Sequence, residues 1–314
     1  MILNLKTAIE QFLIDQELKG NSQKTINYYR QNLMFFSTFI GEEKKVNEIT
    51  LLDLKQYLLF IKNKEPYVGH PFKPKVIKPL STVTIQTYAR AIRCFVKYLY
   101  KEEYIPKDIS LNFTLPKAQK TIVDILEDEE IKTIFKCFKT NTEIGLRNAC
   151  IFALMLDCGL RRTEVIRIKT TNVNIASGFI KVLGKGNKER IVPLGLSLKK
   201  LLLKYMHGYR SMSIIDNDYL FIDTEFKPIS DSALKQIFNR LRKRIKIKRL
   251  HAHLLRHTFS TKYLINGGDL FSLQSILGHT SLEMVRKYSH LASAYLIKAH
   301  KNFSPLDNLN NKSH

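Results

Sequence analysis

The sequence predicts a mainly α-helical chain of two domains, with one small β-hairpin sheet in the second. Three observations carry that expectation. Segments with apolar residues at helical spacing fill the first third of the chain. The stretch from Tyr104 to Thr121, punctuated by Pro106 and Pro116, has no such pattern and reads as a break. Beyond it, FIKVL and ERIVPL flank the tight turn GKGNK, which is strand, turn and strand.

The first helix is expected over residues 4–18, with Leu5, Ile9, Phe12 and Leu13 on one face. Ser22 can cap a second, which runs through Tyr28, Tyr29, Leu33, Phe36 and Ile40. Thr50 followed by Asp53 opens a third, to about Ile61. Prolines at 66, 71, 74 and 79 stop helix formation over 64–80. Ser81 opens the fourth, whose core face is Ile85, Ile92, Phe95, Val96 and Leu99. The divisions expected are a helical domain over 1–105, a linker over 106–121, a second domain over 122–302 and a fraying tail over 303–314. The second domain begins on an acidic helix start, ILEDEE, which suits the macrodipole. A buried helix from Ala149 to Leu156 then runs into CGLRRTEVIRI.

Charge narrows the function. The chain carries 51 Lys and Arg against 28 Asp and Glu, a formal net charge of +23, and both domains are basic. A surface of this sign attracts polyanions, and counterion release from phosphate would drive the binding. No apolar run approaches the ~20 residues a membrane span requires. Acidic residues stand where a signal peptide would have its apolar block, so the chain is expected to stay where it is made. Cys94, Cys137, Cys150 and Cys158 form no CxxC pair and read as reduced thiols rather than a zinc site.

Each candidate site residue is weak alone. The odds change because GLRRTE, LGKGNKERIVPL, HLLRHTFST and LGHTSLEMVRKY occur in one order. HLLRHTF places His253 and Arg256 three apart on one helix face. GLRRTE offers Arg161 at a helix start, with Glu164 placed to orient a neighbour. Two arginines from different helices can clamp the non-bridging oxygens of one phosphate, where charge accumulates in phosphoryl transfer. Lys185, at the hairpin tip, suits protonation of a leaving alkoxide. Tyr288, nine residues after His279, can act as a covalent nucleophile and store phosphodiester energy for rejoining. The set needs no metal and no other cofactor, since no carboxylate cluster of the magnesium-binding kind and no GxxxxGK[ST] occurs.

These motifs resemble the tyrosine recombinases (phage integrase family), in their short Xer-like form. The resemblance covers nearly the whole chain, with looser N-terminal matches in NSQKTINYYRQNLMFF and STVTIQTYARAIRCFVKYLY. It implies a clamp of a helical core-binding domain and a catalytic domain around duplex DNA. It also implies that Arg161 and Arg256 hold the scissile phosphate and that Lys185 protonates the 5′-oxygen. His253 would act in proton transfer, His279 would position phosphate and tyrosine, and Tyr288 would form a 3′-phosphotyrosine. Exchange would then pass through a Holliday junction in a homotetramer on paired inverted half-sites, from a protein largely monomeric when free. The expected location is the bacterial cytoplasm, on the nucleoid. Met1 stands almost at the first helix, so the arm-site domain of larger integrases is not expected. Asn172 replaces the family's common Asp, and the 64–80 segment is longer than usual; it reads as a surface loop.

Sequence readout is expected from the helices beginning at Ser22 and Ser81 and the one ending near Arg244. The candidate DNA contacts are Lys24, Arg30, Arg90, Arg93, Arg240, Arg242 and Lys243. The last three belong to RLRKRIKIKR, with seven basic residues in ten. Arg147, in a second GLR that lacks the following TE, reads as structural, His257 as supporting, and Tyr295 as a rival nucleophile. Two rival activities are a type IB topoisomerase and a catalytically silent DNA-binding regulator. The LGH-to-Tyr spacing with the GKGNKER hairpin argues against the first, and the intact six-residue set against the second.

Overall fold

The computed structural model describes residues 3–63, 80–117, 124–184, 188–210, 218–278, 300 and 304. The chain separates into two compact units, Met1–Thr121 and Ile122–His314.

Four helices build the first unit: α1 (Leu5–Leu18), α2 (Gln23–Ile40), α3 (Leu51–Asn63) and α4 (Thr82–Lys101). Their starts follow from side-chain caps. Ser22 and Ser81 each accept a backbone N–H three residues on, at 3.3 and 3.2 Å. Thr50 and Asp53 cap α3 reciprocally, Asp53 taking the Thr50 N–H at 2.8 Å and Thr50 Oγ1 the Asp53 N–H at 3.2 Å. The core is aromatic: Phe12 lies edge-on to Tyr29, Phe95 and Tyr98 with centroids 5.1, 5.5 and 5.2 Å away. Part of the expected linker is not a free tether. Phe113 is buried in this same core, with Ile109 and Leu115 packed against it. Irregular backbone hid that burial from any reading by period.

The second unit holds α5 (Asp128–Lys136), α6 (Glu143–Asp157), the single turn α7 (Arg162–Val165), α8 (Leu196–Tyr205), α9 (Asp231–Ile245), α10 (Ala252–Ile265) and α11 (Leu270–Leu277). Its sheet has three antiparallel strands in the order β1 (Val173–Asn174), β2 (Phe179–Leu183), β3 (Glu189–Pro193). The hairpin matches the expected one. The two-residue β1 is an addition with too little sequence to carry a pattern. In β3 the alternation turns Val192 into the core and leaves Arg190 on the same face, half-buried. Helix α6 is apolar nearly all round and forms the spine of the core, with the Phe152 ring tilted against that of Phe238 on α9, centroids 4.4 Å apart.

The chain enters this unit fastened down. The Leu126 N–H donates to Thr258 Oγ1 at 2.9 Å, and that buried hydroxyl donates to the Leu254 carbonyl at 2.8 Å. Arg249 pairs with Asp124 and Glu130, and Lys262 of α10 with Asp128. Arg147 is buried in α6 and donates to the Ile222 carbonyl at 2.6 Å, the structural role expected of it.

Candidate active site

The site forms where α6, α7, β3, α10 and α11 meet. After α6 the chain reverses at Gly159, whose φ of +61° suits only glycine at low cost. A Cβ there would also lie 2.4 Å from the Phe259 ring. The turn delivers Arg161 to the N-cap of α7, where its backbone N–H donates to Glu164 Oε2 at 2.8 Å. Its Nη1 donates to Glu164 Oε1 at 2.8 Å and reaches the Leu277 carbonyl at 3.4 Å. Nε and Nη2 of Arg161 have no protein partner among the described residues, and the side chain is 32% exposed. Arg162 forks onto Asp231, pinning α7 to the start of α9.

Arg256 is buried on α10 and bridges two turns of backbone. Nη1 donates to the Gly159 carbonyl at 2.5 Å and Nη2 to the Leu277 carbonyl at 2.9 Å. Arg161 and Arg256 therefore converge on one carbonyl at the end of α11, the negative end of that helix. His253, one turn earlier on α10, is exposed at its edge. Its pKa is held below 6.5, first by partial desolvation and then by the positive charge of His251, Arg256, Arg162 and Arg161. The imidazole is therefore poised neutral.

Sequence reasoning missed Arg190. Its Nη1 and Nη2 fork onto Glu164 at 3.0 and 2.9 Å, and its Nε donates to the Ile276 carbonyl at 2.8 Å. Glu164 is buried, which alone would raise its pKa; the bonds from Arg190 and Arg161 outweigh burial and lower it. The available signal was the strand period, which turns a charged residue inward beside Val192.

The structure thus brings together Arg161, His253 and Arg256. Lys185, His279, Tyr288, the rival Tyr295 and the 64–79 segment lie outside the described residues, as does nearly all of the expected tail. Of the candidate DNA contacts, Lys24, Arg30, Arg90 and Arg93 are exposed on α2 and α4. Arg240 and Lys243 are exposed at the end of α9, where Arg242 is partly covered and donates to Asn239. Asn172 accepts the Lys169 N–H at 3.3 Å and closes a short turn before β1.

Comparison with known proteins follows the same outline. The description "Phage integrase family" matches residues 124–294, and "Phage integrase SAM-like domain" matches residues 4–115. Tyrosine recombinase XerD of Staphylococcus haemolyticus is 30% identical over 305 residues, covering 96% of this chain and 99% of that protein. The chain belongs to the phage integrase family.

It is a tyrosine-type site-specific recombinase of the Xer-like kind, with a SAM-like helical part followed by an integrase part. Solved integrase-family structures share its fold. The XerH site-specific recombinase bound to palindromic difH substrate aligns at TM-score 0.70 with 23% identity, over 93% of this chain and 83% of that one. A lambda integrase tetramer bound to a Holliday junction aligns at TM-score 0.66 with 17% identity, over 89% and 78%.

Proposed function

We propose that this recombinase cuts and rejoins duplex DNA with Arg161, Lys185, His253, Arg256, His279 and Tyr288 as its reacting and phosphate-binding groups. The supporting observation is the convergence of Arg161 and Arg256 on the end of α11, where Nε and Nη2 of Arg161 have no partner among the described residues. The hydroxyl of Tyr288 attacks the scissile phosphorus. The new bond joins phosphorus to the tyrosine oxygen, the bond to the 5′-oxygen breaks, and Lys185 supplies that oxygen's proton. The arginines stabilise the charge that builds on the non-bridging oxygens. His253, kept neutral by its surroundings, takes the tyrosine proton, and His279 holds phosphate and tyrosine in line.

In this reading the helical part over 1–105 and the catalytic part over 122–302 both hold DNA. Lys24, Arg30, Arg90, Arg93, Arg240, Arg242 and Lys243 contact it. The protein is largely monomeric when free, because +23 charges repel, and forms a homotetramer on paired inverted half-sites once phosphates neutralise them. Exchange proceeds through a Holliday junction on bacterial DNA in the cytoplasm.

A substrate nicked beside the cleavage point traps the covalent intermediate. Wild-type protein should accumulate adduct, and Tyr288→Phe should bind the same DNA and accumulate none. Adduct in the variant would transfer the role to Tyr295.

A further inference from the structure

Arg190 stands outside every residue set proposed above, yet it bonds to two parts of the site at once. Strand β3, whose hairpin connection contains Lys185 in sequence, presents it to α7 and to the end of α11. The oxygens of Glu164 are fully subscribed. Oε1 accepts from Arg161 Nη1 and Arg190 Nη1, while Oε2 accepts from the Arg161 backbone and Arg190 Nη2. Only one guanidinium nitrogen of Arg161 is therefore drawn to the carboxylate. The Nε of Arg190 holds the Ile276 carbonyl, next to the Leu277 carbonyl on which Arg161 and Arg256 converge. Gly278, with φ of +63°, closes α11 against it; a Cβ there would sit 3.0–3.2 Å from the Arg190 side chain. His279 follows directly in sequence.

Consider Glu164 without Arg190. A buried carboxylate with unfilled lone pairs would face a single cation. Arg161 is the nearest donor, and turning its planar fork fully onto Glu164 would satisfy the carboxylate. That rotation withdraws Nε and Nη2, the edge available to phosphate.

We propose that Arg190 is a positioning residue: it occupies Glu164 and the end of α11 so that Arg161 keeps its outer edge for the scissile phosphate. The proposal rests on the reading that Arg161 binds that phosphate. Lysine cannot replace Arg190, because a single ammonium has no planar fork to span both carboxylate oxygens.

The test compares single-turnover cleavage of two substrates by wild type, Arg161→Ala, Arg190→Lys and Arg190→Met. One carries an ordinary scissile phosphodiester. The other carries a neutral methylphosphonate there, which has less charge for an arginine to stabilise. DNA affinity and thermal unfolding are measured alongside. Arg190→Lys should lose on the order of a hundredfold in phosphodiester cleavage, much less on the methylphosphonate, and nothing in affinity. Arg190→Met should show the same selectivity; if it does not fold, Arg190→Lys alone carries the test. Equal slowing on both substrates, or no slowing, by Arg190→Lys overturns the proposal while Arg161→Ala stays selective. Should Arg161→Ala itself show no selectivity, the phosphate reading fails and the proposal falls with it.

Discussion

The two units bury polar groups in different ways. Among the described residues, the first unit buries only neutral ones: Gln16, Asn32, Ser37 and Ser110. The second buries Arg147, Glu164, Arg210 and Arg256. A neutral amide needs one or two partners, and Asn32 finds its partner within its own helix, at the Tyr28 carbonyl. A buried charge must be surrounded by donors or acceptors at short range, or it shifts its pKa and neutralises. Burying charge therefore fixes geometry more tightly than burying Phe does. The unit that performs phosphoryl transfer is built from the tighter kind of contact, and the helical unit from the looser kind.

The largest expected effects set one unit directly against the other. Phe12→Ala should cost about 3–5 kcal/mol through the cavity left among Tyr29, Phe95 and Tyr98. Glu164→Ala should cost a similar ~3–5 kcal/mol, because it leaves two arginines facing each other. Thermal unfolding measures both. Single-turnover cleavage at saturating enzyme then separates them: folded Phe12→Ala should cleave as wild type, and folded Glu164→Ala should not. Equal residual cleavage would erase the difference between the units.

A smaller effect concerns acid. His253 titrates below 6.5 in the folded protein, so the unfolded chain takes up its proton first as pH falls. Its contribution to stability is therefore complete above the ordinary histidine value and declines as pH drops through that value. Cleavage should likewise hold through the usual histidine range and fall only at lower pH, as the neutral imidazole is lost. Histidine NMR titration checks the sign, and a midpoint above 6.5 would contradict both the desolvation of His253 and the positive groups around it. The smallest effect belongs to the first unit. Arg93→Ala should leave stability within about 0.5 kcal/mol while reducing the salt slope of DNA binding by about 1.

The helices of both units were legible because their starts are written locally, in Ser22, Ser81 and the Thr50 and Asp53 pair. The hairpin was legible from alternation around a glycine turn. Residues 106–115 were not, since Phe113 is buried by tertiary packing without any period. The motifs brought Arg161, His253 and Arg256 together on paper, and the structure places both arginines at the end of α11 with His253 one turn before Arg256. What motifs do not show is who holds the holder. Arg190 sits in an ordinary-looking strand, and its partner lies 26 positions away in sequence.

Thr258 ties the start of the second unit to α10. Its hydroxyl accepts from Leu126, a few residues into the unit, and donates to Leu254, which lies between His253 and Arg256 on α10. The start of the second unit is thus moored to the helix that carries His253 and Arg256, and the Lys262–Asp128 pair ties the same two stretches together one turn further on.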